Sequence, residues 1–264
     1  MRRIQFPALA LGLGALAGWL APSLRADLLE LTPDADTTLA EVSPGGNYGG
    51  ADFFNTGTAG NRRTNRGLLH FSLSPLPAGA SLQSAELIMD VSRQPEDGLE
   101  GSTFELHRML VSWGEGAGVP DPLHPGRGTP AMPGEATWTH RFAGTSLTWA
   151  VPGGASALDF AASASSEVSV LGVNDSPYTV PGTPLMLADV DYWCAHPESN
   201  FGWMWLSQSE GIQYTARSFS SREGLSPPVL RLTYTVPEPA TGALLSLSCG
   251  ALACRRRFLP TFSP

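Results

Sequence analysis

Two short apolar segments, one at each end of the chain, limit the part of the sequence that can form a folded domain. Near the N-terminus, Arg2 and Arg3 precede an apolar run at 8–20, and a cleavage site follows at 24–26. This order of charge, apolar run and cleavage site is typical of a secretory signal peptide. Residues 1–26 are therefore predicted to be a signal peptide, with the folded domain beginning at residue 27.

The C-terminal segment combines three features in order. A Pro-rich break lies at 237–239, an apolar run of 15 residues follows at 240–254, and three arginines end it at 255–257. As a helix the run would measure about 22 Å, which is less than the roughly 30 Å of hydrocarbon in a bilayer. Since arginines flank both apolar segments on what should be the cytoplasmic side, the residues between them are expected outside the cytoplasm.

This order resembles the PEP-CTERM sorting tail of Gram-negative bacteria. The matching positions are Pro237, Glu238 and Pro239 in the motif and Arg255, Arg256 and Arg257 in the basic cluster. The resemblance implies a sorting tail at 236–257, recognised and removed by a membrane-embedded exosortase, and a cytoplasmic tail at 258–264. A plain C-terminal membrane anchor is the alternative.

The two ends together predict a route and a destination. The partners implied in processing are the Sec translocon, signal peptidase and the exosortase, with transient association with the inner membrane. The mature protein is then expected at the cell surface or in the extracellular matrix of a Gram-negative bacterium.

The region between the two ends is strongly acidic and has no lysine. Of the 24 acidic residues only Glu238 lies outside 27–236, and of the 16 arginines six do, which leaves 23 against ten and a formal charge of −13. Such a surface repels phosphate groups, so we expect no nucleic-acid partner, whereas divalent cations and neutral glycans suit it. Cys194 is the one cysteine of this region, and we expect it to be a small buried side chain.

Alternating and β-branched segments, separated by Gly and Pro clusters, predict an all-β domain at 27–235. The predicted strands are 37–42, 67–73, 85–91, 103–111, 136–142, 167–173, 202–207, 212–219 and 229–236, and one or two helical turns are predicted at 185–193. Short strands with long loops favour one antiparallel β-sandwich of jelly-roll type, flanked by the signal peptide and a short C-terminal apolar helix.

Two sets of apolar residues are expected in the core of this domain. Trp203 and Trp205 lie two apart and share one face of a predicted strand, with Phe201 continuing the row. The residues Leu68, Phe71, Leu73, Leu87 and Met89 are expected on facing strands of the same core.

Several short motifs resemble the DNRLRE domain in their order along the chain. They are Asp34-Ala35-Asp36-Thr37-Thr38, Asn47-Tyr48-Gly49, Arg66-Gly67-Leu68-Leu69-His70-Phe71-Ser72-Leu73, Leu76-Pro77-Ala78-Gly79-Ala80, Ser84-Ala85-Glu86-Leu87, Leu106-His107-Arg108, Trp113-Gly114-Glu115, Trp138, Phe219-Ser220-Ser221-Arg222-Glu223 and Pro228-Val229-Leu230-Arg231-Leu232. That domain is similar to carbohydrate-binding modules and occurs on secreted bacterial proteins, so the resemblance implies polysaccharide binding. The chain departs from the family at His70, where Asp is expected. It also departs in the long irregular segment 114–135, which we call the long loop.

Six residues are the candidates for contact with a glycan. Trp113, Trp138 and Trp149 border the long loop or Gly-rich turns, where a flat ring can cover the apolar face of a sugar. The other three candidates are charged: Arg66, Arg108 and Glu115. An arginine and a carboxylate can form bidentate hydrogen bonds that hold two loop ends together, or each can bind a ligand, and the sequence leaves both alternatives open.

Two pairs of carboxylates predict a structural calcium ion. Asp34 with Asp36, and Asp189 with Asp191, stand at alternate positions where both side chains of a pair can point the same way. Calcium binds six to eight oxygen ligands, which such pairs help to supply. Solvated turn acids are the alternative reading, and no other cofactor is predicted.

The sequence therefore predicts a non-catalytic, exported protein that binds polysaccharide. One alternative is a polysaccharide lyase or hydrolase on the same sandwich, which would need an acid and a base at a fixed separation. No nucleophile elbow or His-Glu-x-x-His motif occurs in the sequence. The second alternative is a purely structural matrix or adhesion component.

Overall fold

The computed structural model describes residues 25–124 and 126–236. The sorting motif Pro237, Glu238 and Pro239, the basic cluster Arg255, Arg256 and Arg257, and all but the last two residues of the predicted signal peptide lie outside the described residues. Within the described part, no helix is both long enough and apolar enough to span a bilayer.

The described region consists mainly of β-strands, with one α-helix. The strands are β1 (Ala26–Leu31), β2 (Ala35–Ala40), β3 (Gly46–Asn47), β4 (Phe53–Thr58), β5 (Thr64–His70), β6 (Ser81–Met89), β7 (Val91–Arg93), β8 (Ser102–Arg108), β9 (Thr129–Pro130), β10 (Ser166–Val170), β11 (Tyr178–Val180), β12 (Trp203–Ser207), β13 (Arg217–Ser220) and β14 (Val229–Thr235). The helix is α1 (Pro184–Ala195), and two short 3₁₀ helices lie at Val173–Asp175 and Pro197–Ser199.

The strands form two main antiparallel sheets. The four-stranded sheet has the order β1-β14-β6-β11, and the eight-stranded sheet has the order β10-β8-β12-β5-β4-β13-β7, with β2 also paired to β5. A small sheet joins β3 to β9. The first and last strands are neighbours, because Ala26 pairs with Thr235. The expectation of a mainly β, antiparallel domain is confirmed at this level.

The first core contains side chains from both main sheets. Leu87 and Leu232 from the four-stranded sheet belong to the same buried cluster as Leu69 and Trp205 from the eight-stranded sheet. Aromatic rings make up much of it: the Phe54 and Phe219 centroids lie 5.5 Å apart, and those of Phe104 and Trp205 lie 5.7 Å apart. Such burial of large apolar side chains is the main source of stability in a domain without a disulfide.

The second core lies on the other face of the eight-stranded sheet. Its buried members are Leu39, Leu68, Met109, Ala136, Trp149, Met204 and Leu206. An irregular segment at 136–160, which we call the cover, supplies the atoms that pack on this face. Leu68 is therefore not in the core with Leu87 as predicted. Because side chains alternate along a strand, Leu69 faces Leu87 and Leu68 faces the cover.

The aromatic row on β12 was predicted in part. Trp203 and Trp205 are fully buried in the first core, which confirms the prediction. Phe201 packs against the second core instead. The reason is Gly202, whose φ of 72° lies in the left-handed region and interrupts the alternation just before β12 begins.

Strand predictions failed where side chains compete for backbone hydrogen bonds. Residues 136–142 form turns, because the Thr137 Oγ1 accepts hydrogen bonds from the backbone nitrogens of Thr139 and His140 at 3.3 and 3.0 Å. Residues 212–216 also form turns, and Tyr214 has a φ of 67°, so β13 begins only at Arg217.

The predicted helix is confirmed and is longer than expected. Thr183 caps α1, since its Oγ1 accepts a hydrogen bond from the Met186 nitrogen at 3.0 Å, and proline occupies the first turn. Met186, Val190 and Trp193 are buried, at helical spacing. Cys194 follows Trp193 and points away from that stripe, so it is exposed, and the prediction that it is buried is wrong.

Asn47 ties the long loop to the domain. Its Nδ2 donates to the backbone oxygens of Glu115 and Ala136 at 2.6 and 3.0 Å. Its Oδ1 accepts from the backbone nitrogens of Gly49 and Gly118 at 3.0 and 2.9 Å. A buried amide with every hydrogen-bonding position satisfied specifies one conformation of the loop, so the Asn47-Tyr48-Gly49 motif has a structural role.

Candidate functional site

Two adjoining clefts lie at the end of β5. The larger, about 480 Å³, opens between the turn at 72–80 and the C-terminal end of α1. The smaller, about 240 Å³, is lined by Trp113. His70 and Asn200 line both clefts, which makes the two a continuous surface. Such concave surfaces are the usual places for ligands.

His70 stands between the two clefts and is fixed by two hydrogen bonds. Its Nδ1 lies 2.5 Å from the Asp34 Oδ1, and its Nε2 lies 3.2 Å from the backbone oxygen of Asn200. The Asn200 Nδ2 in turn donates to the Phe71 backbone oxygen at 2.9 Å. The ring is therefore held by oxygens of the protein on both nitrogens.

Trp113 presents an indole to the smaller cleft. Its Nε1 donates to the Phe201 backbone oxygen at 2.9 Å, which fixes the plane of the ring. The side chain is half-buried and packs against the second core. Of the three tryptophans predicted to contact a glycan, Trp113 is the one that lines a described cleft.

Trp138 and Trp149 line neither of the two clefts. Trp149 is only 3 % exposed, and its Nε1 donates to the Thr137 backbone oxygen at 2.8 Å inside the second core. Trp138 is half-buried, with the Arg66 guanidinium 5.9 Å from its ring centroid. A Cβ atom added at Gly153 would lie only 2.5 Å from the Trp138 ring, so the backbone at Gly153 packs directly against this ring.

Arg66 and Arg108, the two arginine candidates for glycan contact, both form ion pairs within the protein. Arg66 binds the two carboxylate oxygens of Glu210 through its Nε and Nη2 at 2.8 and 2.7 Å. The Nε of Arg108 lies 3.0 Å from the Asp189 Oδ1, and its guanidinium stacks over the Tyr192 ring at 4.7 Å. For both, the structure contains the intramolecular pairing that the sequence left open.

Glu115 belongs to a cluster of carboxylates around Arg222, in which Asp36 is buried and Glu115 is partly buried. The Arg222 Nε lies 2.9 Å from the Glu115 Oε1 and 2.6 Å from the Glu223 Oε1. The same Glu115 oxygen accepts from the Asp36 nitrogen at 2.9 Å, and the Asp36 Oδ2 accepts from the Arg222 nitrogen at 2.8 Å. This cluster, the Arg222 cluster, connects the start of β2 to the long loop and to the turn after β13.

Burial is the main influence on the pKa values of Asp36 and Glu115 in the Arg222 cluster. Desolvation raises the pKa of Asp36 to about 7, although the hydrogen bond from the Arg222 backbone opposes the rise. The nearby carboxylates of Glu223 and Glu115 add to it. Desolvation also raises the pKa of Glu115, against the hydrogen bond from Asp36 and the charge of Arg222. Low dielectric disfavours the charged form of an acid, and here it outweighs one arginine.

The four aspartates of the calcium prediction have different partners within the protein. Asp34 contacts His70, and Asp36 belongs to the Arg222 cluster. The Asp189 Oδ2 accepts hydrogen bonds from Ser165 and Trp203 at 2.5 and 2.9 Å, and burial raises its pKa. Asp191 is exposed.

The two pairs of aspartates lie in different kinds of structure. Asp189 and Asp191 lie in α1, where residues two apart face different directions, so the expectation of a shared direction is wrong there. Asp34 precedes β2 and is half-exposed, whereas Asp36 is 1 % exposed. Across residues 25–124 and 126–236, no three His, Cys, Asp or Glu side chains are arranged to hold a metal ion.

Sequence reasoning missed most of the residues that line the clefts. His70 and Ser72 were noted only as part of a motif that resembles a family pattern, and Asn200 and Ser74 carried no signal. They are common polar residues in loops, and only the fold places them beside Trp113. No protein-family model matches the chain, and no curated protein matches it either.

Proposed function

We propose that this protein is an exported, non-catalytic component of the bacterial cell surface or extracellular matrix that binds polysaccharide in the two clefts beside His70. The observation that carries the proposal is the position of Trp113. Its half-buried, hydrogen-bonded indole lines a cleft whose other walls carry polar groups and no arginine. A fixed ring beside polar groups suits the apolar face and the hydroxyls of a neutral sugar.

The fold favours a binding module. Side chains of the two main sheets share the first core, and long loops join the strands, as a sandwich of jelly-roll type requires. The resemblance to the DNRLRE domain points the same way. We propose that the described region is a jelly-roll module similar to carbohydrate-binding modules.

Export and sorting of the chain are part of the proposal. Residues 26–236 form one compact unit. β1 pairs with β14 from Ala26 opposite Thr235 to Leu31 opposite Leu230, so the first and last strands of the described domain are neighbours in one sheet. This arrangement supports a domain that follows the signal peptide directly and precedes the tail directly. The mass of the mature protein tests it, since cleavage near residues 26 and 237 removes both segments.

A non-catalytic role is favoured by the hydrogen bonds of His70. His70 and Asp34 form an acid–base pair at the clefts, but the Nε2 faces the Asn200 backbone oxygen and not a serine hydroxyl. A general base needs a nitrogen within hydrogen-bond reach of the proton that it removes. With both nitrogens occupied, the ring is better suited to holding the walls of the clefts together.

A glycan array on the purified full chain, compared with three variants, tests the binding proposal. Trp113→Ala should abolish retention of the bound glycans, whereas Trp113→Phe should keep most of it because a flat ring remains. Leu158→Ala changes an exposed apolar residue that lines neither cleft and should bind like the wild type. Thermal unfolding of each variant shows whether a loss of binding is a loss of fold.

Each outcome of the array selects one function. Binding that Trp113→Ala removes from a folded protein supports the proposal. Release of reducing ends or unsaturated products from a bound glycan would instead establish the lyase or hydrolase alternative. A folded protein that binds no glycan would establish the purely structural alternative.

A further inference from the structure

The chemistry of the larger cleft differs from that of the smaller one. Its walls are mostly apolar, with Leu73, Leu76, Pro77 and Ala78 on one side and Trp193 at the end of α1 on the other. Among the residues that the structure describes, no arginine, aspartate or glutamate lines either cleft. The His70 ring is paired with the Asp34 carboxylate, so a uronate or sulfated sugar would find no unpaired opposite charge there, in a domain that is already strongly acidic.

The polar groups of the larger cleft have few free hydrogen-bonding positions. Both ring nitrogens of His70 are in use, and the Asn200 amide is bonded through its Nδ2 to Phe71 and through its Oδ1 to Gly202. The Ser72 hydroxyl donates to the Ser74 hydroxyl at 3.0 Å. A sugar hydroxyl that enters this cleft would lose its bonds to water and gain few in return, which is costly.

We propose that the larger cleft holds the acetyl-bearing edge of one sugar of a neutral, acetylated polysaccharide while another sugar ring of the same chain lies against Trp113. This inference rests on the proposed function and names its ligand class. An acetyl group carries a methyl that gains from contact with Leu73, Leu76 and Pro77, and it has one carbonyl to satisfy instead of several hydroxyls. The Ser74 hydroxyl, which accepts from Ser72, still has a proton to donate to that carbonyl.

Two matched pairs of probes test the preference by titration calorimetry on the full chain. Fully N-acetylated chitin oligosaccharide and cello-oligosaccharide of equal length share a linkage and differ in the acetamido group. O-acetylated xylan and the same xylan after deacetylation form the second pair. In at least one pair, we expect the acetylated member to bind about tenfold more tightly, which corresponds to the burial of one or two methyl-sized groups.

Cys194 reports where the glycan binds. It is exposed and lines the larger cleft, and in a full chain with C249S and C254S it is the single thiol. Partial desolvation of the thiol and the charge of Asp191 raise the pKa of Cys194, so alkylation is followed at alkaline pH. The acetylated probe should slow alkylation severalfold, and the unacetylated probe should not.

A variant that fills the cleft supplies the matched control. Ala78 is exposed at the edge of the larger cleft, so Ala78→Trp should block it without unfolding the protein and should remove the preference for the acetylated probes. Ala157→Trp makes the same change at an exposed turn that lines neither cleft, and the preference should persist.

The outcomes distinguish this inference from the proposed function. Equal affinity within both pairs, or binding that leaves Cys194 alkylation unchanged, would overturn the acetyl site while glycan binding stands. If Trp113→Ala removes all glycan binding but Ala78→Trp has no effect, the larger cleft has no part in recognition. If no glycan of any kind binds to the folded chain, the proposed function itself is wrong.

Discussion

The outer faces of the two main sheets differ in what covers them. On the four-stranded sheet, Arg231 of β14 lies between Glu30 of β1 and Glu86 of β6, and these side chains are all at least one-third exposed. On the eight-stranded sheet, the corresponding face carries Leu68 and Met204, both fully buried under the cover. One sheet therefore has a polar outer face, and the other has a second core.

The sequences of the strands explain the difference. Along β6, Ala85, Leu87 and Met89 are buried while Glu86 and Ile88 between them are only partly buried, so a single face needs burial. Along β12 every residue from Trp203 to Ser207 is buried, and β5 carries Leu68 and Leu69 in succession. A strand that is apolar on both faces must be covered on both, and here the second covering layer is an irregular segment.

The largest effect is expected from a matched pair of leucines on β5. Leu69→Ala removes a side chain between two sheets, and we expect the free energy of unfolding to fall by about 4 kcal/mol. Leu68→Ala removes the same atoms beneath the cover, which has more freedom to settle, so we expect a loss of about 2–3 kcal/mol. Urea titration of both variants measures the difference. Equal losses would mean that the cover is as rigid as a sheet.

The regular part of the fold could be predicted from the sequence. Alternation gave the strand around Leu87 and Met89, and the Pro-Gly clusters marked the turns, because these signals depend on residues close in the chain. The cover could not be predicted. Its residues form turns through local side-chain bonds such as those of Thr137, and it buries Trp149 by contact with strands far away in sequence.

The candidate site was predicted only in part, for the same reason. Trp113 was identified because it borders the long loop, where a flat ring can cover the apolar face of a sugar. The fold alone brings Asn200, from the segment after α1, to His70 at the end of β5. The pairing of Arg66 with Glu210 joins residues that are 144 positions apart, so no local pattern indicates it.

A second prediction separates the long loop from the sheets. Asn47→Ala leaves two buried carbonyls and two buried N–H groups without their partner, and we expect the unfolding free energy to fall by about 2–3 kcal/mol. Hydrogen exchange should quicken near Glu115 and Gly118 while β6 and β14 keep their protection. The control is Asn61→Ala, an exposed loop asparagine, which should change neither. Uniformly faster exchange across both sheets would contradict a local role.

The third prediction concerns pH, because the Arg222 cluster joins β2 to the long loop. A pKa of Asp36 raised to about 7 means that the folded state holds this proton more tightly than the unfolded state. The contribution of Asp36 to the free energy of unfolding is therefore fully present below the pKa of the unfolded state and is lost as the pH rises through about 7. Between pH 5 and 7 we expect a loss of roughly 2 kcal/mol.

Asp36→Asn isolates this contribution. The amide cannot ionise, so the free energy of unfolding measured by urea titration should decline much less between pH 5 and 7 than in the wild type. A smaller decline should remain, because burial also raises the pKa of Glu115. Asp121→Asn is the control: hydrogen bonding to His124 lowers the pKa of Asp121, so its titration lies below this window and the decline should persist. A wild-type protein that gains stability from pH 5 to 7 would contradict the prediction.

The smallest effect is expected on the outer face of the four-stranded sheet. Arg231 donates to Glu30 and Glu86 at 3.0 and 2.8 Å across three strands, but solvent and salt screen pairs this exposed. We expect Arg231→Ala to shift the urea midpoint by no more than the error of the titration. Arg66→Ala removes the same kind of side chain from beneath the cover, leaves Glu210 without its partner, and should destabilise the protein clearly. If the two variants lose equal stability, the exposure of these arginines does not separate the two outer faces.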